Sequence, residues 1–268
     1  MENASTSEQA QRAADVQRAA DVQRVADVQR VVISTHNSGK VREIDRVIRE
    51  ALAERSGRSD RSGRSDRSVA AESAGTGAAR PARTFEFVTS GELGLPDPVE
   101  DGTTFEQNAL LKARDAARRT GLPAIADDSG LIVDVLGMAP GILSARWSGR
   151  HGDDAANNAL LLAQLVDIPD AARGARFRCA AALVVPAALA GTDADVEAVE
   201  VRDMEGRLLR EPRGANGFGY DPLFVPNDQP DGASELTSAE LTAEQKNAIS
   251  HRGKALRALA ARFSEILL

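Results

Sequence analysis

Cysteine is almost absent: Cys179 is the single one in 268 residues, so no disulfide can form within the chain and the composition predicts a reducing, intracellular setting. Cys179 itself reads as a small buried hydrophobe. Aromatic residues make up only 3%, which leaves the core to aliphatic side chains. No stretch approaches the roughly 20 apolar residues that span a bilayer, and the N-terminus lacks the charged-then-apolar layout of a signal peptide. The expectation is a cytoplasmic protein without a membrane partner. Positive charge is also lacking: the net charge of −7 argues against an extended nucleic-acid footprint, which needs a basic stripe to replace condensed counterions. One small anionic ligand is not excluded.

Two repeats stand out in what is present. Residues 13–30 hold three near-identical six-residue units ending Asp-Val-Gln-Arg. Six residues turn an α-helix by about 240°, so Val16, Val22 and Val28 cannot line one stripe, and a weak helix or disorder is expected. The second repeat, Arg55 to Ser68, has five arginines against two aspartates. It buries too little to offset the entropy of ordering, and reads as a solvated linker rather than a basic nucleic-acid arm. The predicted organisation is an extension over 1–29 and one domain over 30–268, interrupted by an insert at about 55–83.

Within the domain, Val31 to Ser34 reads as a strand, Thr35 to Gly39 as a turn, and Lys40 to about Ala53 as a helix. Phe85 to Val88 reads as a strand and Gly91 to Pro98 as a loop. Thr104 with Gln107, or Thr103 with Glu106, supplies a capping box for a helix that Gly121-Leu122-Pro123 stops. Ala124 to Ala126 and Leu131 to Val135 read as two strands meeting at an acidic turn, Asp127-Asp128-Ser129-Gly130. Asp153 to Val166 is a second amphipathic helix, Phe177 to Val185 and Val196 to Val201 a hairpin with a long connection, and Arg252 to Phe263 a closing helix. Interleaved helices and strands with a hairpin predict an α/β fold with a mixed central sheet.

Several residues have chemistry to offer. The turn Thr35-His36-Asn37-Ser38-Gly39-Lys40 lies between strand and helix, where free N–H groups, the positive helix end and a lysine suit a phosphate. It lacks Walker A spacing, and Lys40 could equally be a surface residue. Lys112 shares the spacing of Phe105, Ala109 and Ala116, so it either snorkels outward or meets an anion. Glu100-Asp101 and Asp127-Asp128 are acidic pairs that one helix separates. Beside phosphate-binding lysines they make sense with a cation such as Mg²⁺ between; turn-forming aspartates are the other reading. Phe218-Gly219-Tyr220-Asp221 combines glycines for close approach, aromatics for stacking and a hydrogen-bonding carboxylate. Lys246, Ser250, His251 and Arg252 gather donors, or form a plain cationic surface.

Together these segments resemble the inosine triphosphate pyrophosphatase family, also described as XTP/dITP diphosphatases. Its carriers, in order, are Thr35 to Lys40, Thr104 to Ala113, Ala126 to Leu131, Ala139 to Arg146, Gly217 to Pro222 and Ile249 to Gly253. The resemblance implies two lobes around a substrate cleft, usually in a homodimer. It implies hydrolysis of ITP, dITP or XTP to the monophosphate and pyrophosphate with Mg²⁺. Lys112 and Thr35, His36, Asn37, Ser38, Gly39 and Lys40 would hold the triphosphate. Glu100 and Asp128 would bind metal, or Asp128 would activate water, making Asp128 and Lys112 the catalytic pair. Ser129 would touch substrate, and Phe218, Gly219, Tyr220, Asp221, Lys246, His251 and Arg252 would line the base pocket. Gln107 departs from the glutamate that similar proteins often carry; either side chain serves a capping box. A less selective nucleotide phosphatase and a nucleotide-binding regulator without turnover are the competing readings.

Overall fold

The computed structural model describes residues 28–35, 41, 43–50, 84–232 and 235–267. The Arg/Ser insert and residues 1–27 of the expected N-terminal extension lie outside these residues, whereas Val28, Gln29 and Arg30, expected with the repeat as weak helix or disorder, open a strand instead. Six strands form one sheet in the order β2-β1-β3-β4-β5-β6: β1 Val28–Ile33, β2 Thr84–Thr89, β3 Ala124–Val133, β4 Gly174–Val185, β5 Val196–Leu208 and β6 Phe224–Pro226. β1 pairs in parallel with β2 and β3, and every later pairing is antiparallel. The sheet is therefore mixed, as the interleaving of helices with a hairpin requires.

Helix α1, Phe105–Thr120, packs on one face of the sheet. The Thr104 hydroxyl accepts the Gln107 N–H at 3.2 Å, while the Gln107 carboxamide reaches back to the Thr103 N–H at 2.7 Å, one residue earlier than a reciprocal box with Thr104. At the other end Gly121, at φ +68°, donates to the Ala117 carbonyl, a left-handed cap that glycine adopts without steric cost. Ala109, Ala113, Ala116 and Ala117 are buried against the sheet. Side chains this short let the helix axis approach closely, which matters for the polar residues on the same face.

On the opposite face α4, His251–Leu267, and the helical residues 43–50 pack Ile44, Val47, Ile48, Leu256, Leu259 and Phe263 against Val31, Ile33, Ile125 and Leu183. A third cluster joins Leu131, Val133 and Phe177 to Leu161 and Leu165, from α2 (Asp154–Gln164) and its C-terminal cap, and to Tyr220, Leu223 and Phe224. Two clusters thus sandwich one half of β3 and β4 and the third covers the other half, giving the two lobes. Between α2 and α4 lies the short helix α3, Ala243–Ile249, with a full capping box from Thr242 and Gln245. Among the described residues no helix is long and apolar enough to cross a membrane.

The structure corrects one expectation: Asp127-Asp128-Ser129-Gly130 is no turn. β3 runs unbroken for ten residues, with Asp127 opposite Ala181 and Asp128 opposite Ala180, and it ends at Val133 in a 3-10 turn over Asp134–Leu136. Charge in a strand interior is tolerated here because each carboxylate meets a cation, Arg252 for Asp127 and Lys112 for Asp128. Gly130 has a packing reason instead of a turn reason. A Cβ there would stand 2.4 Å from the Gly141 carbonyl oxygen and 2.5 Å from Ser144 Oγ, so glycine lets the 3-10 segment Gly141–Arg146 lie directly on β3.

Candidate active site

Lys112 sits on the sheet-facing side of α1 with Nζ 3.0 Å from Glu100 Oε1 and 3.6 Å from Asp128 Oδ1. Its side chain is 12% exposed, so it meets anions rather than snorkelling to water. Burial opposes the ammonium charge, but Asp128, Asp127 and Glu100 together outweigh that and hold Lys112 above the ordinary lysine value. Asn108, one turn earlier on the same stripe, fixes both acids. Its Nδ2 donates to Asp128 Oδ2 at 3.2 Å and its Oδ1 accepts the Gly102 N–H at 2.9 Å, two residues beyond Glu100. The residue is 2% exposed, and its spacing of four from Lys112 is the signal that sequence reasoning passed over.

Two carboxylates converging on one cation form a hard-oxygen donor pair. Among the described residues no group of three or more His, Cys, Asp or Glu gathers as a metal cage. That arrangement fits Mg²⁺, which takes one or two carboxylates and fills its octahedron with water and phosphate oxygens. Thr35 lies just beyond β1 and is partly buried; His36, Asn37, Ser38, Gly39 and Lys40 lie outside the described residues.

Asp127 points to the other face. Its Oδ2 accepts from Arg252 Nε at 3.0 Å and from the Ser129 hydroxyl at 3.0 Å, so Ser129 shares the Asp127 side. Arg252 Nη1 donates to Glu43 Oε2 at 2.8 Å. The guanidinium is 4% exposed; burial opposes its charge, and the Asp127 and Glu43 carboxylates outweigh burial and raise its pKa. Glu43, which sequence reasoning also missed, belongs to the helix that follows the proposed phosphate turn.

Near Arg252 stands the Phe218 ring, 49% exposed, with Arg252 Cζ 5.8 Å and Lys246 Nζ 5.3 Å from its centroid. Lys246 Nζ lies 2.5 Å from Asp221 Oδ2, which also accepts the Phe218 N–H at 2.9 Å. Gly217, at φ +78°, leaves no room for a Cβ beside Asp221. Phe218, Asp221, Lys246 and Arg252 are therefore brought together, and Phe218 offers the open aromatic face. Tyr220 differs. It is buried, its hydroxyl donates to the Ser144 carbonyl at 2.9 Å, and burial followed by nearby Asp154 pushes the phenol above its ordinary value. Tyr220 packs beneath the loop rather than facing the cleft. His251 is likewise buried, its ring stacked on Phe177 at 5.1 Å.

The sequence profile of the Ham1 family matches residues 31–262. A dITP/XTP pyrophosphatase of Bifidobacterium animalis subsp. lactis is 55% identical over 258 residues, covering 88% of this chain and 97% of that one. A dITP/XTP pyrophosphatase of Streptomyces avermitilis is 60% identical over 173 residues, 65% of this chain and 80% of its own length. Among solved structures, a nucleoside-triphosphatase / dITP/XTP pyrophosphatase from Mycobacterium abscessus superposes with a TM-score of 0.58 at 44% identity, covering 86% of this chain and 98% of that one. A HAM1 protein from Coxiella burnetii gives 0.65 at 35% identity, covering 88% and 99%.

Proposed function

The chain belongs to the Ham1 family, and from that premise we propose that it hydrolyses altered purine nucleoside triphosphates, ITP, dITP and XTP, to the monophosphate and pyrophosphate. The observation that carries the reading is Lys112 held between Glu100 and Asp128, with the preceding residue of the same strand as Asp128, Asp127, joined to Arg252 near the half-exposed Phe218 ring.

Glu100 and Asp128 are the residues that would hold Mg²⁺. When bound, the ion would neutralise phosphate charge that two carboxylates would otherwise repel. Lys112 keeps its proton because of its acidic neighbours, so it presents a permanent positive charge to the polyphosphate. Asp128, fixed by Asn108, orients the water that attacks the α-phosphorus. The bond from that phosphorus to the oxygen bridging to the β-phosphorus breaks, and pyrophosphate leaves with the monophosphate bearing the new oxygen. The segment from Thr35 to Lys40 is the candidate for holding the phosphates, offering backbone N–H groups and the Lys40 ammonium. Such a reaction depends mainly on positioning and charge neutralisation.

Phe218 stacks on the base, while Lys246 and Arg252 set a donor-rich edge beside it, with Ser129, Gly219 and Asp221 close by. Hypoxanthine and xanthine present a carbonyl oxygen at C6, whereas adenine presents an amino donor. A mismatched buried donor costs about 1–3 kcal/mol, roughly tenfold to hundredfold in preference. Guanine must be refused through its C2 amino group.

The homodimer has in its favour the apolar surface exposed by Val135, Met138 and Leu143 between β3 and α2; sedimentation velocity tests it. The cytoplasm, where the nucleotide pool lies, is the proposed compartment. The deciding experiment is a panel of ITP, dITP, XTP, GTP and ATP with magnesium, measuring pyrophosphate and orthophosphate separately. Pyrophosphate from the first three is expected. Orthophosphate as the product, or equal turnover of all five, would reject the reading.

A further inference from the structure

The Phe218 platform rests on an exposed loop tied upstream by the Ala215 and Asn216 N–H groups on the Ala239 carbonyl and at Phe218 itself by Asp221. Gly219 has φ +61°, and residues 211–218 are exposed throughout. Gly219, the residue directly after the ring, is held by α2, more than 60 residues earlier in the chain. Asp154 Oδ2 accepts the Gly219 N–H at 2.7 Å, and Asn158 Nδ2 donates to the Gly219 carbonyl at 2.9 Å. The two residues are four apart on one helix face, so both polar groups of a single peptide residue are taken by one rigid element. That element is itself anchored by Leu161 and its cap residue Leu165 in the third cluster, alongside Tyr220 and Phe224.

Two details argue that the clamp serves the loop rather than the helix. The N-cap of α2 is Asp153, whose Oδ1 accepts the Ala156 N–H at 3.1 Å, so Asp154 is not needed to start the helix. Asn158 Oδ1 is buried without a hydrogen-bond partner among the described residues. A residue placed for stability alone would not leave that acceptor orphaned.

We propose that Asp154 and Asn158 are positioning residues that set the height and tilt of the Phe218 ring through Gly219, and so control purine affinity without touching the nucleotide. The inference rests on Phe218 being the stacking surface of the base pocket. Release of Gly219 lets the ring drop from under the base while the Glu100, Lys112 and Asp128 cluster, on other elements, stays as it is. The effect falls on KM and spares kcat.

The test is steady-state pyrophosphate release from ITP by D154A, N158A, F218A and the double variants D154A/F218A and N158A/F218A, with D154N as the conservative exchange. Expected are a fivefold or greater rise in KM for D154A and for N158A with kcat within about twofold, near-normal KM for D154N, which keeps an acceptor for the Gly219 N–H, and no further rise when either change is added to F218A. A clamp variant that multiplies KM by the same factor with and without Phe218, or one that lowers kcat at unchanged KM, overturns the inference. F218A with unchanged KM overturns the base-pocket reading, and the inference with it. F218A raising KM while D154A and N158A do not overturns the inference alone. Because the two clamp residues are probed separately, poor folding of one variant leaves the other to decide.

Discussion

Asp127 and Asp128 are neighbours in sequence but face opposite sides of the sheet, Asp127 toward Arg252 and Asp128 toward Lys112. Successive strand residues alternate faces, so one acidic dipeptide supplies a carboxylate to each of two charged clusters. On one side stands Asp128 with Glu100, Lys112 and Asn108; on the other, Asp127 with Arg252, Glu43 and Ser129. The predictions below separate what the two sides do.

Asp128→Asn keeps the shape and the bond geometry to Asn108 while removing the charge. Pyrophosphate release at saturating magnesium should fall by about a hundredfold or more, the range for loss of a positioned acid or base, with the unfolding midpoint little changed. Near-normal turnover would remove Asp128 from both water activation and metal binding.

Lys112→Met removes the ammonium from between Glu100 and Asp128 and should abolish turnover. In the wild type the Lys112 pKa is raised, so the stability this pair of contacts contributes is fully present below the unfolded lysine value of about 10.4. It is lost only as pH climbs through the higher folded value. Urea denaturation should therefore give a constant gap between wild type and variant from pH 6 to 9, narrowing only above about pH 10.4. A gap that already closes near neutrality would contradict the raised pKa.

Arg252→Leu leaves the buried Asp127 carboxylate and the partly buried Glu43 carboxylate without their common cation. Breaking a buried ion pair from one side costs about 3–5 kcal/mol, and urea unfolding at neutral pH measures it. A loss below about 1 kcal/mol would mean that water reaches Asp127, which is 2% exposed.

Gly130→Ala puts a methyl group against the Gly141 carbonyl oxygen and Ser144 Oγ at 2.4 and 2.5 Å. The neighbours are backbone and a hydroxyl bonded to the Leu131 N–H and the Gly141 carbonyl, so relief requires the 3-10 segment to lift. Thermal unfolding should show a loss of about 1–3 kcal/mol. A neutral result would show that the segment moves freely.

Chelating the divalent ion should stop turnover yet leave the unfolding midpoint nearly unchanged. Lys112 already balances Glu100 and Asp128, so these two acids are not left as a bare pair when the metal is removed. Collapse of stability in chelator, followed by circular dichroism, would refute that account.

Most strands, the longer helices and the Lys112 stripe were legible because each rests on local spacing, whereas the start of β1, the three-residue β6 and the seven-residue α3 are too short or too obscured by repeat sequence to show a period. Phe105, Ala109, Lys112 and Ala116 announce one helix face, and the acids that meet Lys112 follow from the anion a buried ammonium demands. The acidic segment of β3 was misread for a physical reason. Ser-Gly after two aspartates is strong turn chemistry, and nothing nearby in sequence reveals Arg252, 125 positions away, or the segment that needs Gly130 small. Tyr220 is expected with Phe218 along the base pocket because sequence cannot say which of two nearby aromatics turns inward; the buried Tyr220 is the one that does. Partners far apart in the chain, such as Glu43 with Arg252, leave no periodic trace.

A strand with alternating duties cannot slide. If β3 slipped by one position against β4, the Asp127 carboxylate would arrive on the Lys112 side and Asp128 would enter the niche of Arg252, with Leu131 and Ile132 trading faces as well. A single-residue deletion between Ala124 and Asp127 would thus not merely shorten the protein. It would exchange the occupants of its two charged chambers, and the frame in which this strand docks is as much a requirement for activity as the identity of its acids.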